Sequence, residues 1–427
     1  MSWQKTKISD FLIERTDRFK PDEANELGLP RIEKIDFSGT IYINNFKPTK
    51  TGMILVKDGD LVISGINVEK GALAIYKGET DALATIHYSS YTYDSNKIYI
   101  EYLKWYLQSN IFKNILKEQV KGGIKTEIKP KTFLNLEIML PDLETQKSIA
   151  SKLNKLEWNV KDLDFTCFCN KELIDKLRQS ILQNAIQGKL VPQNPNDEPA
   201  SVLLERIKAE KEQLIKEGKI KKEKINYKYE NPNVYNIPNT WEWCKFYQVA
   251  NIASNLVSPY EYLDLPHIAP NNIEKGSGKL LSYSSIREDN VTSYNHYFYA
   301  GQILYSKIRP NLSKLVVVDF EGLCSADMYP INSYINTDYL KLYMLSKTFL
   351  SYSTKNDTRV AMPKINQEEL NNIPVPIPPI KEQKRIVDRV NELMQLCDKL
   401  ELENNNAQKS SSDLLQSIMQ KYFTMEV

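Results

Sequence analysis

Apolar residues recur at alternating steps of four and three along two stretches of this chain. From Ile149 the first series runs through Leu153, Leu156, Val160, Leu163, Cys167, Asn170, Ile174, Leu177 and Ile181. The second runs through Ile386, Val390, Leu393, Cys397, Leu400, Asn404, Ala407, Ser411, Leu414 and Ile418. A seven-residue apolar repeat held over about four heptads predicts two long helices, each with one stripe for pairing, as in a coiled coil. Pro141 precedes the first series, and Pro378 and Pro379 precede the second, as suits helix starts. Asn170 and Asn404 fall on the stripe, where a polar residue is either tolerated or fixes register and orientation.

Outside these stretches the pattern is short. Leu61–Ile63, Ile303–Tyr305 and Leu315–Val318 are β-rich runs broken by Gly, Asn and Pro turn residues. Tyr102–Leu107 and Tyr339–Met344 read as amphipathic helices. The globular parts are therefore expected to be mixed α/β, of the α+β kind.

The pieces are copies of one another. Leu140 to Ile149 resembles Ile377 to Ile386, Ser180 to Gln183 resembles Ser417 to Gln420, and Tyr102 to Leu107 resembles Tyr339 to Met344, all 237 positions apart. Gly59 to Ser64 matches Gly301 to Ser306 at 242 positions, after a small indel. A period this long means a duplicated domain and not a solenoid. The expected order is a globular part over 1–141, a long helix over 142–190, a linker over 191–235, a second globular part over 236–377 and a second long helix over 378–427. The linker starts rich in Pro and Asn, continues as a charged helix over about Ala200–Glu217, and ends in the basic stretch Lys219 to Lys224, read as a solvated segment in preference to a phosphate contact.

Composition narrows the function classes. The chain has 427 residues, too many for one ordinary core, with 41% hydrophobic and 26% charged residues, as in soluble globular proteins. No run of ~18 apolar residues offers a membrane span, and Met1 to Lys7 leads into no apolar stretch, so a cytoplasmic protein is expected. Five cysteines form no CxxC pair, which favours reduced structural thiols. A net charge of +2 leaves the partner open.

Catalytic signatures are missing. No GxGxxG occurs, and Pro378-Pro379 lies between Ile377 and Ile380, unlike the Asn/Asp-Pro-Pro-aromatic loop of an amino methyltransferase. Gly276-Ser277-Gly278-Lys279 has Ile273 and Leu280 where a phosphate loop needs Gly and Ser or Thr. Glu127-Ile128-Lys129 has a nuclease-like spelling, but its second-copy counterparts are Lys364, Ile365 and Asn366. His87, His267 and His296 have no metal-ligand spacing, so no metal site is expected.

Two features together resemble the specificity subunit of type I restriction–modification systems. One is the pair of Pro-x-[Leu/Ile]-x-x-Gln-Lys segments, Pro141 to Lys147 and Pro378 to Lys384. The other is Ile181 to Gln193 running into Asn196-Asp197-Glu198-Pro199-Ala200. Trp241-Glu242-Trp243 adds to the likeness. The resemblance implies two target-recognition domains reading double-stranded DNA at a bipartite site, each followed by a long helix. It also implies that the helices dock two modification subunits that methylate adenine, joined by restriction (motor–nuclease) subunits. S-adenosylmethionine, ATP and magnesium would then belong to those partners, with no cofactor and no catalytic residue in this chain.

Duplicated units can pack their helices antiparallel, which would hold two readers on separated half-sites. A helix from Leu143 to Gln187 is ~65 Å long at ~1.5 Å per residue. The expected DNA contacts lie after the Gly-x-[Leu/Ile] strand and before the Leu/Ile-Pro exit of each copy. In copy two these are Lys307, Arg309 and Asn311, with Arg359 and Lys364 at another turn. In copy one the first turn, Gly65-Ile66-Asn67, lacks charge, so Asn67 is joined by Lys121, Lys125, Lys129 and Lys131 around Gly122-Gly123. Arginine forks onto guanine or phosphate and asparagine onto adenine. A coiled-coil assembly protein with duplicated heads would explain the helices equally well, but not the paired motifs and linker.

Overall fold

A computed structural model describes residues 3–44, 48–120, 127–220, 235–355 and 363–424. The chain forms two compact units, residues 1–169 with 404–427, and residues 170–403. Each carries the same sheet topology.

In the first unit a four-stranded antiparallel sheet orders Leu12–Glu14, Tyr88–Tyr93, Leu61–Ser64 and Leu73–Ile75. A five-stranded sheet orders Arg18–Phe19, Met53–Val56, Ala82–Thr85, Arg31–Ile35 and Ile41–Asn44, with one parallel pair at Arg31↔Leu83. Gln4–Lys7 pairs antiparallel with Glu137–Leu140, the strand that leads into the first long helix. The second unit repeats this. Its four-stranded sheet orders Ala250–Ile252, Met328–Ser333, Ile303–Ser306 and Leu315–Val317. Its five-stranded sheet orders Leu256–Val257, Asn295–Phe298, Gly322–Cys324, Pro266–Ile268 and Ser284–Ser285, again with one parallel pair. Glu242–Lys245 pairs with Pro374–Ile377.

The continuous apolar runs are strands covered on both faces. Leu61 and Ile63 enter one core while Val62 enters another. Ile303 and Tyr305 likewise separate from Leu304, following the two-residue alternation of a strand. Each such burial contributes ~1.5–3 kcal/mol. The turn before each strand needs a left-handed residue, supplied by Gly59 at φ +84° and Gly301 at φ +88°. The next side chain closes it: Lys57 N donates to Asp60 Oδ2 at 2.9 Å, and Tyr299 N donates to Gln302 Oε1 at 2.9 Å. Helices Ile100–Gln108 and Thr337–Met344 bury Tyr102, Leu103 and Tyr106, and Tyr339, Leu340 and Tyr343. Ser109 and Ser346 cap the helices that follow.

The linker helix, Ala200–Lys216, belongs to the second unit's core and is not a bare spacer. Ala200, Leu203 and Ile207 are buried, and Lys211 Nζ donates to the Ala250 carbonyl at 3.0 Å. Of the basic stretch beyond it, Lys221, Lys222 and Lys224 lie outside the described residues.

Both long helices, Leu143–Ile186 and Ile380–Phe423, have 44 residues. In the first unit Ile149 and Leu153 share a core with Met419 and Phe423, and Leu156 and Ile418 pack at its edge. Asn404 Nδ2 donates to the Cys167 carbonyl at 2.9 Å. In the second unit Ile174 and Ile181 share a core with Cys397, Val390 and Ile386, and Leu393 packs against it. Arg178 bridges Asp398 and Glu401, the latter at 3.0 Å. One sequence rises as the other falls, so the pairing is antiparallel.

The buried stripe differs in places from the strict heptad reading. Val160 and Leu163 are half-buried, while Asn170, Ala407, Leu177, Leu400 and Leu414 are exposed. A two-helix contact covers a narrow stripe, so its flanking leucines stay open and Arg178 crosses beside Leu177. At the far end the cause is helical pitch. An α-helix drifts ~20° per heptad against a 3.5-residue repeat, which hands burial from Leu414 to Leu415, Ile418, Met419 and Phe423.

Candidate nucleic-acid interface

The strand Ile303–Ser306 leaves its sheet into Lys307-Ile308-Arg309-Pro310-Asn311. A distant segment holds this turn. Ile365 N donates to the Lys307 carbonyl at 3.0 Å, Arg309 N donates to the Pro363 carbonyl at 2.8 Å, and Ile308 bridges Lys364. Lys307 N also donates to the Asp327 carbonyl. The two segments that sequence reasoning singled out separately are therefore one edge.

Arg309 sits in the left-handed region at φ 47°, ψ 58°, and Ser313 does so at φ 46°, bracketing the turn Pro310–Leu312. A left-handed non-glycine residue costs of order 1–3 kcal/mol and tends to mark a functional position. Arg309 and Asn311 are exposed. Among the described residues neither side chain has a hydrogen-bond or ion-pair partner. Lys307 lies half-buried over the Tyr329 ring at 5.3 Å, and Lys364 Nζ stands 3.3 Å from Asp327 Oδ1. The edge thus presents one guanidinium without a partner and two anchored ammonium groups, a set suited to phosphate and guanine.

The first unit builds the same edge with other side chains. Leu61–Ser64 leaves into Gly65-Ile66-Asn67, and Ile128 N donates to the Gly65 carbonyl at 2.9 Å, as Ile365 does to Lys307. A Cβ on Gly65 would stand 2.9 Å from Glu127 Cγ and from the Ile128 carbonyl. No side chain fits where the second unit has Lys307. Asn67 is half-buried in the turn, while Lys129 and Lys131 are exposed. Glu127 faces His87 Nδ1 at 3.5 Å. Lys121, Lys125 and Arg359 lie outside the described residues. Sequence reasoning missed Asp327 and Tyr329, which position the second edge; the shared 237-residue offset of Ile128 and Ile365 is the signal that links the segments.

Among the described residues no group of three or more His, Cys, Asp or Glu could hold a metal ion. No helix there is long and apolar enough to cross a membrane. The chain matches the type I restriction modification DNA specificity domain twice, over residues 2–162 and 214–409. It belongs to the type I restriction–modification DNA specificity family. The type I restriction enzyme EcoDI specificity subunit of Escherichia coli is 38% identical over 340 residues, which are 79% of this chain and 72% of the relative. The EcoAI specificity subunit of the same species is 34% identical over 262 residues, 58% of this chain and 44% of the relative. Among solved structures, a chain from a type I R-M assembly superposes with a TM-score of 0.65 at 15% identity, covering 100% of this chain and 98% of that one. The HsdS subunit from Thermoanaerobacter tengcongensis gives 0.56 at 15% identity, covering 100% and 97%. The likeness in fold thus runs the length of this specificity-family member.

Proposed function

We propose that this chain is the DNA-reading, non-catalytic component of a type I restriction–modification enzyme, acting in the cytoplasm. Each unit reads one half of a bipartite duplex site through the edge where the strand exit meets the segment before the last strand. The observation that carries this is the repeated backbone contact, Ile128 to Gly65 and Ile365 to Lys307, bearing different side chains in each unit. A constant frame with a variable edge is what two independent readers require.

Two modification subunits dock on the long helices and supply adenine methylation with S-adenosylmethionine. Restriction subunits supply ATP- and magnesium-dependent cleavage. Trp158, Phe165 and Phe168, on neighbouring turns of the first long helix, are 68%, 67% and 61% exposed and offer an apolar docking surface.

The test compares the purified chain with and without a modification subunit. Alone it is expected to retain DNA weakly, in a salt-sensitive way, and to transfer no methyl group. With the subunit, tight sequence-specific binding and adenine methylation are expected. Robust methyl transfer by the chain alone overturns the proposal.

A further inference from the structure

The glutamine of each Pro-x-[Leu/Ile]-x-x-Gln-Lys segment is a buried joint. Gln146 is 1% exposed and Gln383 is 0% exposed, although each lies in the first turns of a long helix. The Gln146 side chain folds back: Nε2 donates to the Pro141 carbonyl at 2.9 Å, and Oε1 accepts from Tyr99 N at 2.8 Å. Gln383 repeats both bonds, donating to the Pro378 carbonyl at 2.9 Å and accepting from Asn336 N at 2.9 Å. Tyr99 and Asn336 are the N-cap residues of Ile100–Gln108 and Thr337–Met344. One amide thus ties the exit of the last strand, the start of the long helix and the start of the globular part's own helix. The donor and acceptor ends have separate tasks, which a glutamine of this reach meets and a carboxylate or an apolar side chain does not. Asn336 also caps its helix through its own side chain, accepting from Tyr339 N at 2.9 Å, so the joint bears on a fixed element.

We infer that Gln146 and Gln383 are positioning residues that fix the angle between each recognition domain and its own helix, and thereby the spacer the enzyme accepts between half-sites. This rests on the proposed reading of a bipartite site. A joint that slackens lets a domain reach a half-site displaced along the duplex, while the residues that read bases stay as they are. Loss of the joint therefore relaxes spacing and not sequence.

The test uses the full chain carrying Gln383→Met, which removes both bonds, and Gln383→Glu, which keeps the acceptor for Asn336 N. Each is assembled with a modification subunit and given duplexes whose half-sites are fixed and whose spacer varies by one base pair. The preference for the natural spacer is expected to fall roughly tenfold in Gln383→Met, the scale of one unsatisfied buried group, and at least as much in Gln383→Glu, whose buried carboxylate would face the Pro378 carbonyl. Half-site sequences are expected to stay unchanged. If Gln383→Met does not fold, Gln383→Glu is read in the same way. An active variant with wild-type spacer preference, or one with altered half-site sequence, overturns the inference. Hydrogen exchange supplies a readout without DNA: the Asn336 amide is expected to lose protection in Gln383→Met, and unchanged protection overturns the joint. A wild-type assembly that methylates at no spacer, with Asn336 deprotected in the variant, sinks the reading of function and leaves the joint standing.

Discussion

At equivalent turns the first unit has Gly65-Ile66-Asn67 and the second has Lys307-Ile308-Arg309. The backbone around them is held alike, by Ile128 and Ile365 donating to the first residue of the turn. The chemistry differs. The first turn admits no side chain at Gly65, and its exposed cations, Lys129 and Lys131, come from the partner segment. The second carries Lys307 and a left-handed Arg309 on the turn itself. The same contrast recurs inside the frame, where Asp60 and Gln302 close equivalent turns. Asp60 is buried and also receives Arg15 through two bonds, at 2.7 and 2.9 Å, and Ser90 Oγ at 2.7 Å. Gln302 instead donates to Asn332 at 2.8 Å. At these two turns the main-chain contacts are what the copies share, and the side chains are what separates them.

The strongest way to break this comparison is to exchange a whole reader. Replacing residues 236–376 by the equivalent domain of a relative is expected to change one half of the methylated motif completely and leave the other untouched. Methylome sequencing reads the outcome, and a simultaneous change in both halves would mean that the domains do not read independently.

Within the frame, Asp60→Ala removes both hydrogen bonds of the half-buried Arg15 guanidinium and leaves it, among the described residues, only Asp17, at 3.9 Å. It is expected to cost about 3 kcal/mol of local stability in the first unit. Gln302→Ala removes two neutral bonds and is expected to cost roughly 1–2 kcal/mol in the second. Hydrogen-exchange protection of Leu61–Ser64 and Ile303–Ser306 measures both. Equal losses would erase the distinction between an ionic and a neutral turn closure.

At the edge, Arg309→Ala is expected to lower methylation at the cognate site by roughly 10- to 100-fold, the ~1–3 kcal/mol of a base-reading fork, and to relax one position of one half-site. Lys129→Ala, an exposed cation of the other edge, is expected to weaken binding only a few-fold and to lower its salt dependence by about one charge. Steady-state methylation against salt separates the two. Sequence relaxation by Lys129→Ala would move base reading to that residue.

Much of the architecture is legible in the sequence. The heptad series around Ile174 and Ile386 announced the helices, and the 237-residue offset announced the duplication, because local periodicity and repetition need no knowledge of distant contacts. The glutamines of the paired motif were visible as spelling only. Their task depends on Tyr99 and Asn336, which lie 47 positions upstream in each copy. Arg309 carried no sign of its left-handed backbone, since that conformation is ordinarily a glycine's. A heptad count places the exposed Leu414 on the stripe because it ignores the drift of a 3.6-residue helix.

The sequence by itself determined two copies of one α+β unit, a long helix after each, and the absence of recognisable catalytic motifs. Those properties are written in patterns a few residues wide or in similarity between copies. The tertiary structure decided which residues form an edge. Lys307 and Lys364 meet because a strand exit takes its hydrogen bonds from a segment close to sixty residues downstream, and only the closed sheets bring the two together. It also decided that Gly65 admits no side chain and that Lys307 does. Steric room at a contact between distant segments belongs to the assembled backbone, and no stretch of the chain encodes it alone.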